Sequence, residues 1–188
     1  MDRPKRIHRR NYNEPGHAHV LTFSCYRGFK FLAAERTSQW LAESIDAARQ
    51  SLDFALWAYV FMPEHAHIIV WPRRPAYNVA DIRHAIKAPV ARRAIRYIES
   101  DAPEWLTRIT RIRGGKQERL FWQSGGGFDR NIDQPTALEK EIDYLHMNPV
   151  KQGLCQIASD WKWSSAGSFI GLETSPLPLD PIPADWFA

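Results

Sequence analysis

Residues Asp53 to Trp71 read DFALWAYVFMPEHAHIIVW. The first part, Asp53 to Phe61, concentrates aromatic and β-branched side chains and predicts a strand. Met62-Pro63-Glu64 interrupts it, because proline cannot donate to a ladder in mid-sheet. His65 to Trp71 resumes the pattern, so the two segments predict a hairpin. Residues two apart on a strand share a face. His65 and His67 therefore point together, and Ala66 points the other way.

Outward from this hairpin the chain alternates strands with helices. Upstream, His17 to Cys25 (HAHVLTFSC) puts Val20, Thr22 and Ser24 on one face and Leu21, Phe23 and Cys25 on the other, a buried strand. Between the two strand regions, Glu35 to Ser51 carries Trp40, Leu41, Ile45 and Ala48 at helical spacing. Downstream, Ala80 to Glu99 reads as a basic helix, kinked or divided at Pro89. Residues 107–119, with Arg108, Arg111, Arg113 and Lys116 around Gly114-Gly115, read as an exposed basic loop. Leu120 to Gln123 is the expected fourth strand. A helix follows from Pro135 to Met147, opened by a proline suited to a first turn and stopped by Pro149. The order β-α-β-β-α-β-α predicts an α+β domain, a ferredoxin-like split βαβ. Its antiparallel sheet would carry helices on one face, with an extra C-terminal helix bearing Tyr144. The expected organisation is a basic arm over 1–16, a catalytic domain over 17–170 and a proline-rich tail over 171–188 that wraps over the surface.

The 188 residues, 44% hydrophobic and 24% charged, fit a folded domain and exclude a disordered polymer. The longest apolar run, Phe54 to Met62, is less than half the ~20 residues of a membrane span. MDRPKRIHRR at residues 1–10 has no apolar stretch after it, so no secretory signal is expected. Two cysteines, Cys25 and Cys155, fit a reducing compartment, and a cytoplasmic location follows as the expectation. The net charge of +4 is unevenly spread: +4 over 1–10, +6 over 83–119 and −5 over 133–188. Such a distribution attracts polyanions although the total is small. A basic helix with a solvated face fits it equally well.

The chemistry lies in two clusters. His65 and His67 could converge on one metal ion, imidazole being the commonest metal-binding side chain; two half-buried structural histidines fit the same pattern. Ile69 and Val70 stand where other HxH hydrolase patterns need Asp or His, and no HExxH is present. His17-Ala18-His19 lacks a partner nearby in sequence and reads as structural or as an outer contact of the site. The second cluster is Tyr144-Leu145-His146-Met147-Asn148. In a helix Tyr144 and Asn148 lie one turn apart on one face. A hard ion such as Mg²⁺ or Mn²⁺ takes oxygen ligands and holds phosphate oxygens. With the ion on His65, His67 and Asn148, Tyr144 would attack a DNA phosphate in line, leaving a phosphotyrosine and a free 3′-hydroxyl. Phenol, with a pKa of about 10, needs help, and Lys140 four residues earlier could give it.

Four segments, MPEHAHIIV (Met62 to Val70), FWQSGGGFDRNI (Phe121 to Ile132), YLHMNPVKQGL (Tyr144 to Leu154) and WKWSSA (Trp161 to Ala166), resemble REP-associated tyrosine transposases. These are bacterial relatives of the single-tyrosine insertion-sequence transposases in the HUH endonuclease superfamily. The resemblance implies a ferredoxin-like catalytic domain, a divalent metal, and cleavage of single-stranded DNA near palindromic hairpins through a 5′-phosphotyrosine. It matches His65 and His67 to the metal histidines, Tyr144 to the nucleophile and Asn148 to the third ligand. Expected DNA contacts are Arg3, Lys5, Arg6, Arg9 and Arg10 in the arm, Lys87, Arg92 and Arg93 on the basic helix, and Arg130 and Lys140; a solubilising arm and a surface ion pair at Arg130 are the alternatives. No membrane or small-molecule substrate is expected, and monomer and homodimer both remain open. A non-catalytic nucleic-acid-binding protein that keeps the fold is the rival reading.

Overall fold

A computed structural model describes residues 13–125, 127–172 and 175–186. Arg3, Lys5, Arg6, Arg9 and Arg10 lie outside the described residues. Strand β1 (Ala18–Ser24) leads to helix α1 (Glu35–Leu52), then to the hairpin of β2 (Phe54–Phe61) and β3 (His65–Pro72), and to α2 (Val79–Asp101). A short α3 (Leu106–Ile109) precedes β4 (Thr110–Arg113) and β5 (Lys116–Arg119). Next come β6 (Phe128–Ile132), α4 (Pro135–His146), α5 (Asn148–Lys151) and α6 (Ala166–Phe169). The main sheet is antiparallel throughout, in the order β2-β3-β1-β6. That is the strand order of a split βαβ arrangement.

The first three strands and the first two long helices stand where the sequence pattern puts them. Helix α1 buries Leu41, Ile45 and Ala48 and turns out through Asp53 in the left-handed region. Asn78 caps α2 by accepting from the Ala80 N–H at 3.0 Å. Pro89 does not divide α2, which runs unbroken over 23 residues. Proline cannot serve the carbonyl of Ala85, four residues back. Ser44 of α1 compensates from outside the helix, its Oγ 2.7 Å from the Ile86 carbonyl and 3.4 Å from that of Ala85.

Three other expectations are corrected. The fourth sheet strand is β6, not Leu120 to Gln123. Phe121 and Trp122 turn inward as core residues, Trp122 making one bridge to Cys25 and donating its indole N–H to the Lys87 carbonyl. The polar sequence Phe128-Asp-Arg-Asn-Ile132 has little strand character of its own and is held by pairing with β1. Residues 110–119 form a basic hairpin rather than a loop, because Gly114 and Gly115 both take positive φ, as a tight hairpin turn requires. Finally, helices cover both faces of the sheet. Every residue of β2 is buried, so neither face can meet water. Helices α1 and α2 pack on Leu21, Phe23, Ile68 and Val70; α4 packs Leu138, Ile142 and Leu145 on Val20, Ile69 and Ile132 behind them.

A bulge at Trp57 sets this division. Leu56 pairs with Val70 and Ala58 with Ile69, so Trp57 and Ala58 both face α4 and the alternation reverses beyond them. The proline-rich tail seals the outer edge of β2. Asp180 accepts from the Leu56 N–H at 2.9 Å and pairs with Arg49 and Arg73. Leu177 and Trp186 are buried. A covered edge strand cannot template association.

Gly127 marks the closest backbone approach. Its φ is +73°, and a Cβ there would stand 2.2 Å from the Thr22 carbonyl oxygen of β1. Gly125 has positive φ but open space around it. Gly127→Ala should therefore cost more than about 2 kcal/mol, and Gly125→Ala about 1 kcal/mol, as urea denaturation of the two variants would measure.

Candidate functional site

His65 and His67 stand side by side on the α4 face of β3, their ring centroids 4.7 Å apart and their planes nearly perpendicular. Each ring is held through Nδ1. His67 Nδ1 lies 2.8 Å from Thr22 Oγ1, the residue opposite it on β1. His65 Nδ1 lies 3.0 Å from the Glu64 carboxylate. With the ring protons on Nδ1, both Nε2 lone pairs are available, the arrangement in which an outer partner orients a metal-binding imidazole. Burial, and secondly the charge of His65, hold His67 down to about 4, so it is a neutral donor at physiological pH. These donors fit a divalent ion. Among the described residues no third His, Cys, Asp or Glu joins them.

The tyrosine helix reaches the same end of the sheet by topology. Strand β6 ends with Ile132 opposite Ala18, and α4 then runs back over the face. Its last turn is tethered to the sheet. Buried His146 lies 2.8 Å from Ser165 Oγ, which in turn accepts from the Tyr59 N–H at 2.9 Å. Tyr59 is the neighbour of Val60, the residue paired with His67. The tether thus ties the C-terminal turn of α4 to the stretch of β2 that pairs with His67, and it gives the Trp161-to-Ala166 motif a structural role. Trp163 and Trp161 complete it, bonding to the Phe61 backbone.

Tyr144 is 53% exposed on this turn, with Lys151 Nζ 4.4 Å from its ring centroid. Asn148 is buried, and its amide nitrogen donates to the carbonyls of Tyr144 and Leu145. It closes the helix, and its Oδ1 takes no hydrogen bond from the described residues. The structure brings the two histidines together. Among the described residues, neither Tyr144 nor Asn148 hydrogen-bonds an imidazole. The positive charge over the phenol belongs to Lys151; Lys140 is exposed on the helix.

Competing nucleophiles are poorly suited. Burial pushes the Cys25 thiol up to about 12, and Tyr26 and Tyr59 are buried. Burial, with the charges of Asp129 and Glu14 behind it, pushes Tyr77 up to about 12. Tyr12 lies outside the described residues.

The expected DNA contacts divide. Arg92 and Lys140 are exposed; Lys87 is half-buried beside Phe23 and Trp122. Arg93 pairs with Glu43 at 2.7 Å, and Arg130 pairs with Glu141. Thr22 is the site residue that sequence reasoning missed; only its place opposite His67 reveals it. His19 is structural as expected, bridging Asp129 at 2.9 Å and Tyr77 at 2.7 Å on the opposite face.

Burial also holds His146 down to about 4. Both buried histidines resist protonation when folded, whereas in the unfolded chain they titrate near 6.5. Their contribution to stability is complete above that pH and is lost as pH falls toward 4. The Tm of the chelator-treated protein should fall over that range, and His146→Gln should flatten part of the slope.

No protein-family model matches the chain. A curated Haemophilus influenzae protein, provisionally named a REP-associated tyrosine transposase, is 24% identical over 157 residues, spanning 79% of this chain and 83% of the relative. The solved structure of a REP-associated tyrosine transposase bound to a REP hairpin superposes with a TM-score of 0.69 at 20% identity, covering 94% of this chain and 93% of that one. A Deinococcus radiodurans structure, provisionally described as a transposase, is a looser likeness: TM-score 0.46 at 16% identity, over 72% of this chain and 94% of that one. Among the described residues no helix is long and apolar enough to cross a membrane.

Proposed function

We propose that this chain, which resembles REP-associated tyrosine transposases in sequence and in fold, is a metal-dependent single-strand DNA endonuclease and strand transferase acting at palindromic hairpins. The observation that carries the reading is the imidazole pair. Both rings are fixed at Nδ1, and with their protons there both would offer Nε2 to an ion. His65 and His67, with the Oδ1 of Asn148, would hold Mg²⁺ or Mn²⁺. When bound, such an ion polarises a scissile phosphate and neutralises its developing charge.

The remaining work falls to side chains of this chain. Tyr144 Oη attacks phosphorus, the P–O3′ bond breaks, and the leaving oxygen takes up a proton as the 3′-hydroxyl. The phenolic proton passes to solvent, and the Lys151 ammonium over the ring favours the negative phenolate. A second 3′-hydroxyl then attacks the phosphotyrosine in the reverse sense, so rejoining needs no nucleotide cofactor. The exposed cations Arg92 and Lys140 would track the DNA backbone, with the basic arm Arg3, Lys5, Arg6, Arg9 and Arg10.

One observation favours the non-catalytic reading: the Asn148 amide is engaged with its own helix rather than with the imidazoles. A labelled hairpin with a single-stranded extension separates the two. With Mn²⁺, the native chain should form a covalent adduct that survives denaturing electrophoresis. Tyr144→Phe should abolish it while leaving hairpin affinity within about twofold, since only the nucleophilic oxygen is lost. Binding of the hairpin without adduct would leave the non-catalytic reading standing.

Thr22→Val keeps the shape of the residue and removes the oxygen that orients His67. Loss of such an outer partner typically costs 10–100-fold in metal affinity. Titration calorimetry with Mn²⁺ should show a weakening of about tenfold or more, with unchanged Tm in chelator.

A further inference from the structure

On the face of the sheet away from the histidines, a cavity of about 360 Å³ opens between the Phe31 turn, α1 and α2. Its size falls within the ~300–1,000 Å³ range of small-ligand sites. The walls are aromatic: Phe31, Trp40, Tyr97, Trp105 and Phe121 all line it. Phe31 stacks on Phe121 at 5.0 Å and meets Trp105 edge-on at 5.6 Å. The rim is cationic. Arg36 lies over the Tyr97 ring at 4.2 Å, Arg108 lies over Trp105 at 4.2 Å, and Lys30 lines the mouth.

Several nearby basic residues are neutralised. Arg93, Arg111 and Arg119 are paired with Glu43, Glu118 and Glu99. Among the described residues, Lys30, Arg36 and Arg108 have no carboxylate partner. Flat rings with guanidinium groups lying against them, beside unneutralised charge, match one chemistry: a planar base attached to a phosphate. Stacking on aromatic side chains with a cationic track alongside is how unpaired nucleotides are held irrespective of sequence.

The cavity also stands at the histidine end of the sheet. The segment that carries Phe31 is bonded to the β2–β3 turn, Leu32 N–H to the Pro63 carbonyl at 2.9 Å and Cys25 N–H to the Glu64 carbonyl at 2.7 Å. Glu64 holds His65. A strand seated in the cavity needs only to round one turn to reach the imidazoles. We propose that this cavity binds an unpaired base of the DNA strand flanking the hairpin, with Arg36 and Arg108 on its phosphates. The proposal rests on the DNA-processing reading above.

The test compares three ligands for the full chain: a bare hairpin, the same hairpin with a single-stranded extension containing 2-aminopurine, and the extension alone. Trp105→Ala and Arg36→Ala should each weaken the extended hairpin by about tenfold, with the bare hairpin unaffected. Trp105→Phe should restore most of the loss, and the 2-aminopurine emission should be quenched by the native chain and not by Trp105→Ala. Should Trp105→Ala not fold, the exposed Arg36→Ala variant and the quenching by the native chain still decide the matter. Equal affinity of native and variant chains for the extended hairpin overturns the proposal. So does an apolar dye bound in the cavity that aromatic small molecules displace and the extension does not. Failure of the parent reading is seen separately, as absence of the Tyr144 adduct. Quenching of the extension alone, lost in Trp105→Ala, would still support a base site in that case.

Discussion

Strand β3 is asked to satisfy two incompatible surroundings at once, and the pleat is what lets it. Ala66, Ile68 and Val70 are fully buried against α1 and α2. His65 and His67 alternate with them and face α4. A slip of one residue would drive the imidazoles into the apolar layer under α1 and α2 and turn the aliphatic side chains to the α4 side. Because the core fixes the register so firmly, the two histidines have no freedom to part. Their separation, the choice of Thr22 as partner and the availability of Nε2 all follow from it.

The second layer converts this fixed pair into a site with a neighbour. Helix α4 is amphipathic, burying Leu138, Ile142 and Leu145, and hydrophobic contact alone would let it slide. The buried His146–Ser165 hydrogen bond sets its position along the sheet, because an unsatisfied polar group there would cost about 1–3 kcal/mol. Tyr144 and Asn148 flank that anchor on the rim of the buried stripe, one exposed and one covered. The same sheet end carries the aromatic cavity on its other face, so the β2–β3 turn is the common support of both.

Some parts of this arrangement were legible because they depend on local sequence pattern. Alternation gave β1, aromatic and β-branched runs on either side of Met62-Pro63-Glu64 gave β2 and β3, period 3.6 gave α1 and the basic helix α2, and Pro135 and Pro149 bounded the tyrosine helix. β6 was hidden because its residues 128–132 earn their extended form from pairing with β1, not from their own preferences. Division of α2 at Pro89 failed for the complementary reason: a serine 45 positions upstream reaches the carbonyl that proline leaves bare and, more closely, the one beside it. The Trp57 bulge was equally unreadable, since a one-residue insertion shows itself only against a partner strand.

The amino-acid order on its own determined which side chains are candidates for chemistry, because imidazole, phenol and amide groups are properties of side chains and their spacing along one element is fixed by backbone geometry. It determined the order of the first three strands and the long helices for the same reason. Only the tertiary structure decided that Thr22 orients His67, that Lys151 rather than Lys140 lies over the phenol, and that a second layer covers the sheet. Those are contacts between segments far apart in the chain, and they exist only once burial of both faces of β2 has forced the layers together.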